Sequence, residues 1–122
     1  TLSSPSLSLN ERSDPIFTAR GVVAVRSYYA DPQQFLDPGL SPLFGDYEQF
    51  PPLLFQASDS EMLRDESLRA AERAHAAGVR VQVELWQGQL PHVFQAFEKL
   101  PQTQAAVQRI LAFISQHTGW VR

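Results

Sequence analysis

One histidine and a group of carboxylates stand where two expected strands end. His92 lies in Gln89-Leu90-Pro91-His92-Val93-Phe94, a few residues past an alternating run from Val79 to Trp86. In that run Val79, Val81, Val83 and Leu85 share one face and Arg80, Gln82, Glu84 and Trp86 the other, which is the period of a strand. A histidine on a loop held by a rigid strand is placed as a general base is placed. The plainer alternative is a partly buried polar residue without chemistry, because lone histidines are common and catalytic ones rare. Upstream, Pro51-Pro52-Leu53-Leu54-Phe55-Gln56-Ala57 reads as a short buried parallel strand. It opens into Ser58-Asp59-Ser60-Glu61-Met62-Leu63-Arg64-Asp65-Glu66. In open α/β sheets catalytic groups gather at the carboxyl ends of strands. One strand thus offers carboxylates and the next a histidine, the layout in which a carboxylate orients an imidazole.

The elements around these strands follow from pattern. Residues 1–12 read as an extended lead-in rich in serine. A helix is expected from Asp14-Pro15, with aspartate as cap and proline in the first turn, to Asp31-Pro32. Its Phe17, Val22, Val25 and Tyr29 make an approximate apolar stripe, and Phe17, Tyr28 and Tyr29 read as plain packing. Residues 31–50 carry successive turn signals. A second helix is expected over Ser60–Ala77, closed by Gly78, with Leu68, Ala71 and Ala74 toward the sheet. There Ser58-x-x-Glu61 also fits a capping box and Asp65 an N-cap, a purely structural reading of the same carboxylates. The last helix, Gln102–His117, shows Val107, Ile110, Leu111 and Ile114 at helical spacing. His75 reads as a surface residue, and His117 as a cation suited to a helix end. Phe94 and Phe97 are expected to pack beneath His92.

Composition narrows the function classes. The 122 residues, 43% of them hydrophobic and 11% aromatic, suit a single α/β domain. A net charge of -3 argues against a nucleic-acid partner. No run approaches the roughly 18 apolar residues of a membrane span, and no signal peptide opens the sequence. Cysteine is absent, so disulfides and thiolate metal sites are excluded. The three histidines, at 75, 92 and 117, lack close metal-ligand spacing. No Gly-rich phosphate loop occurs, and no metal or cofactor is expected. The cytoplasm is the default compartment, although an export signal in an upstream part would not be seen here.

A resemblance joins these pieces. Pro51-Pro52-Leu53-Leu54-Phe55-Gln56, Glu61-Met62-Leu63-Arg64-Asp65-Glu66-Ser67, Ala76-Ala77-Gly78-Val79, Trp86-Gln87-Gly88 and Pro91-His92-Val93-Phe94-Gln95 resemble, in order and spacing, the C-terminal part of a bacterial esterase. The family is the hormone-sensitive-lipase-like branch of the α/β hydrolases. The resemblance implies the C-terminal part of an α/β-hydrolase sheet, with two parallel strands and about three flanking helices. It also implies carboxylic ester hydrolysis by a Ser–His–acid triad. By position in the motif the acid is Glu61, which precedes x-Leu-x-Asp; many members have aspartate followed by proline where this chain has glutamate followed by methionine. Asp59 is the alternative acid. The resemblance further implies a homodimer through 79–86 and the C-terminal helix.

The family's nucleophile sits in a G-x-S-x-G elbow, and its oxyanion hole in an HGG-type loop. This sequence has neither, its six glycines being scattered singly. Ser58 and Ser60 lack a strand–elbow–helix context. The expectation is therefore a single-domain portion, residues 1–122, whose partner is the N-terminal part of the same enzyme and whose substrate is a small ester. Two strands rarely stand alone, so the portion by itself is expected to be incomplete and inactive. The rival reading is a hydrolase scaffold turned to binding or assembly.

Overall fold

The computed structural model describes residues 2–120; Thr1 of the lead-in lies outside them. Two strands, β1 (Leu53–Ser58) and β2 (Val81–Trp86), form a parallel pair joined by a crossover helix, α3 (Arg64–Ala76). Leu53 stands opposite Val81 and Ser58 opposite Trp86. The ladder continues past both ends, where Leu53 N–H donates to Arg80 O at 2.9 Å and Asp59 N–H to Trp86 O at 3.0 Å. Both strands therefore finish at the same level, and the segments that follow them start side by side.

Each face of the pair is covered differently. α3 packs through Ala70 and Ala74, with Ala77 just past its end, onto Tyr47, Leu53, Val79 and Val81. Small side chains let that helix approach closely. Gly78, at φ +83°, turns the chain from α3 into β2, a left-handed position that glycine adopts freely. On the other face α4 (Pro101–Thr118) is anchored by buried Thr103 and Ala106. A second cluster forms there from Leu90, Phe94 and Ala106, with Trp86 and Leu100 against it. Gln56 Nε2 donates to Glu84 at 2.9 Å and to Ala106 O at 3.0 Å, and Arg109 reaches Glu84 at 2.8 Å. Burial alone pushes the Glu84 carboxyl up, but its bonds from Gln56, Arg109 and Gln82 outweigh this and hold it below the usual range.

Several expectations are corrected. The lead-in over 1–12 is not wholly extended, since Ser6–Leu9 forms a single helical turn, α1. The next helix, α2, covers Ala19–Tyr29 and is capped by Thr18, whose hydroxyl accepts Gly21 N–H at 3.1 Å. Asp14 instead closes a local turn on the amides of Ile16 and Phe17, at 2.9 Å each. No residue of α2 is buried, and Tyr28 and Tyr29 are 93% and 70% exposed, so plain packing does not describe them among the described residues. α3 begins at Arg64 and not Ser60, because the backbone of 59–62 is bonded elsewhere. β2 begins at Val81, and its Val83 and Leu85 remain exposed. In α4 the predicted stripe is only half right, since Val107 and Ile114 are exposed. Among the described residues no helix is long and apolar enough to cross a membrane.

Candidate active site

The turn after β1 carries the acid candidates. The Ser58 N–H donates to Glu61 Oε2 at 3.2 Å, bending the glutamate back toward the strand end. Its other oxygen, Oε1, lies 3.0 Å from His92 Nδ1. The Glu61 side chain is 4% exposed and that of His92 38%, so a buried carboxylate meets a half-exposed imidazole. An ionised carboxylate can only accept, which assigns the proton to Nδ1 and leaves Nε2 with its lone pair. The Glu61 bond holds the imidazole pKa above its ordinary 6.5; burial opposes this, and the negative charges of Glu61 and Asp14 add to it.

Asp59, the alternative acid, takes part through its backbone. Its N–H closes the β-ladder, and its carbonyl accepts from Asn10 Nδ2 at 3.0 Å and from Arg64. The capping reading is realised only in the bond from Ser58 N–H to Glu61, because α3 starts at Arg64 after Leu63 and without a side-chain cap. Asp65 faces Ser6, accepting its N–H at 2.8 Å, and it pairs with Arg64 at 2.9 Å. Burial pushes Asp65 up, while its bonds to Arg64 and Ser6 bring it net below the usual carboxylate value. Ser58 and Ser60 are buried and bond to each other at 2.9 Å.

The histidine loop is shaped by its backbone. Gly88, Gln89 and Val93 all have positive φ. Val93, directly after His92, is at φ 53° and ψ 37°, a region that β-branched residues rarely occupy. Phe94 plugs the loop into the core at 1% exposure, its ring 5.8 Å from Trp86. Phe97, expected beside it, is 43% exposed. The ring next to His92 is Phe17, at 5.7 Å between centroids. Phe17 also borders an open apolar cleft of about 400 Å³ with Ile16, Gly21, Val22, Val25 and Leu63.

Sequence reasoning missed the segment that holds the acid turn. Asn10, Ser13 and Asp14 looked like loop and cap residues, yet their side chains bond to 59–62. Nothing local in Asn10-Glu11-Arg12-Ser13-Asp14 announces a partner some 50 residues away. Among the described residues no cluster of three or more His, Cys, Asp or Glu side chains could hold a metal ion.

The site's surroundings have close counterparts. An esterase from Acinetobacter venetianus is 36% identical over 115 residues, which is 93% of this chain and 38% of that protein. Among solved structures, a hormone-sensitive lipase from a metagenome library superposes with a TM-score of 0.87 at 28% identity, over 95% of this chain and 40% of its own. An esterase of the bacterial hormone-sensitive lipase family gives a TM-score of 0.85 at 33% identity, over 95% and 39%. The chain thus spans about two fifths of the length of the relatives it matches. The profile of the alpha/beta hydrolase fold matches residues 1–96, and the chain belongs to that family.

Proposed function

We propose that this chain supplies the acid and the base of a Ser–His–acid triad in a carboxylic ester hydrolase of the esterase/lipase type. The serine comes from an N-terminal part of the same enzyme. The observation that carries the reading is the 3.0 Å contact between His92 Nδ1 and a Glu61 carboxylate that is almost fully buried. Names of similar proteins, esterase and hormone-sensitive lipase, agree with it. In the reaction His92 Nε2 takes the serine proton as the oxygen attacks the ester carbonyl, and Glu61 stabilises the resulting imidazolium. The imidazolium then protonates the departing alcohol. A water, deprotonated by the same nitrogen, releases the acid. Asp59 is the alternative acid, disfavoured because the carboxylate that lies 3.0 Å from His92 Nδ1 is that of Glu61.

Exposed Val83 and Leu85 on β2, and Val25, Tyr28 and Tyr29 on α2, support a chain that is completed by other surfaces. The N-terminal part is the first of these, and a second copy against β2 and α4 is the other. By itself the portion is inactive on this reading.

The test is His92→Ala in the complete protein with a short-chain p-nitrophenyl ester. Turnover is expected to vanish to background while the variant melts normally; retained turnover overturns the assignment. The pH profile is a second readout. Because the imidazole pKa is raised above 6.5 and the base must be neutral, kcat/KM falls as pH drops through that raised value. A wild-type protein that folds yet takes no fluorophosphonate label would favour the binding or assembly reading.

A further inference from the structure

The turn that carries Glu61 is held almost wholly by one short segment. The carbonyl of Asp59 accepts from Asn10 at 3.0 Å, that of Ser60 from Ser13 at 3.0 Å, and that of Met62 from Ser6 at 2.7 Å. Around the acid the grip is two-sided. The carbonyl of Glu61 and the N–H of Met62 belong to a single peptide group. Asn10 Nδ2 donates to its oxygen at 2.9 Å, and Asp14 Oδ2 accepts from its nitrogen at 2.8 Å. That peptide cannot turn without breaking both bonds, so the direction in which Glu61 leaves the backbone is set. The other Asp14 oxygen accepts the amides of Ile16 and Phe17, and the Phe17 ring lies against His92. One carboxylate therefore reaches the peptide of the acid and the wall beside the base.

We infer that Asp14, assisted by Asn10, is a positioning residue for the Glu61–His92 pair. The inference rests on reading that pair as part of the triad. Residue type follows from counting donors. Asp14 receives three N–H groups on two oxygens, whereas asparagine has one oxygen and would turn its NH2 toward one of those donors. The charged groups facing His92 are Glu61, from the turn after β1, and Asp14, from the segment before α2, and both favour the imidazolium. An isosteric change at 14 thus removes a backbone acceptor and a charge together.

The experiment compares Asp14→Asn and Asn10→Ala with wild type in the complete protein, well below their melting temperatures. The readouts are the His92 titration midpoint by NMR and the pH profile of p-nitrophenyl ester hydrolysis. Asp14→Asn is expected to lower the midpoint and to lower kcat/KM by on the order of 10²-fold, as a misaligned catalytic pair does. Asn10→Ala is expected to lower kcat/KM as well, with a smaller midpoint change because the Asp14 charge remains. A purely structural role would lower the melting temperature and leave the midpoint of the folded protein alone. Wild-type midpoint and kcat/KM in folded Asp14→Asn overturn the inference; if that variant does not fold, wild-type kcat/KM in Asn10→Ala does so. If the wild type hydrolyses no ester, the triad reading fails, and the Asn10→Ala midpoint, which involves no change of charge, still decides whether the segment positions His92: a lowered midpoint supports the inference and a wild-type midpoint overturns it.

Discussion

The turn that carries Glu61 and the loop that carries His92 both begin at the carboxyl end of a strand, but they are held in opposite ways. From Asp59 to Met62 every carbonyl accepts a side-chain hydrogen bond from residues 6–13, and the glutamate itself is buried. The histidine loop bends through left-handed residues on either side of His92. Its hold on the core comes from its own Leu90 and Phe94, packed with Trp86 and Ala106, and from the Thr103 hydroxyl, which donates to the Phe94 carbonyl at 2.7 Å. On the proposed triad reading, the difference matches two jobs. A carboxylate that stabilises an imidazolium works best when its direction is fixed in advance, since a preorganised charge costs nothing to reorient during the reaction. An imidazole that must meet a serine and then a water has to stay reachable, and a half-exposed ring on a loop does so.

Amidating the acid tests the fixed side of this contrast and has the largest expected effect. In the complete protein Glu61→Gln keeps the shape but cannot stabilise the imidazolium, and kcat/KM should fall between about 10²- and 10⁴-fold. Asp59→Asn should leave it near wild type, because the carboxylate bonded to His92 is that of Glu61. The acid limb of the pH profile should also move to lower pH in Glu61→Gln, since the main cause of the raised His92 pKa is gone. A large loss in Asp59→Asn with none in Glu61→Gln would reverse the assignment.

The loop side breaks at its anchor. Phe94→Ala empties a fully buried position and should cost about 3–5 kcal/mol of stability, read as a drop in melting temperature. A loss near 1 kcal/mol would mean that Phe94 is not what ties the loop down. The smallest effect sharpens the point about strain. Val93→Asn places a residue that tolerates the left-handed region at φ 53°, on a side chain 55% exposed. Stability should rise by about 1 kcal/mol, because little packing is lost. An unchanged or lower melting temperature would show that the loop does not store that strain.

Much of the site was legible because its signals are local. The apolar run into β1 and the period-two pattern of β2 gave both strands, and their ends placed His92 near a carboxylate. The choice of Glu61 over Asp59 came from motif resemblance alone, and only the geometry brings Glu61 within a hydrogen bond of His92. The helical chemistry of Ser60–Leu63 points to a start at Ser60, whereas α3 begins at Arg64. What displaces the helix is competition from Asn10, Ser13 and Asp14 for the same backbone groups, and such competition leaves no local trace. Phe97 and Phe94 look alike in sequence, yet one is exposed and the other buried, since burial depends on where α4 lies.

By itself the sequence determined the strand–helix–strand order, the carboxyl-end placement of Glu61 and His92, and the lack of cysteine in these 122 residues. These depend on residue type and short-range period, and both act through neighbours a few positions away. Tertiary structure decided which oxygen faces His92, that Phe17 and not Phe97 borders the imidazole, and that the lead-in grips the acid turn. Each of these is a contact between segments far apart in the chain, formed only once β1 and β2 pair in register and bring their ends to one level.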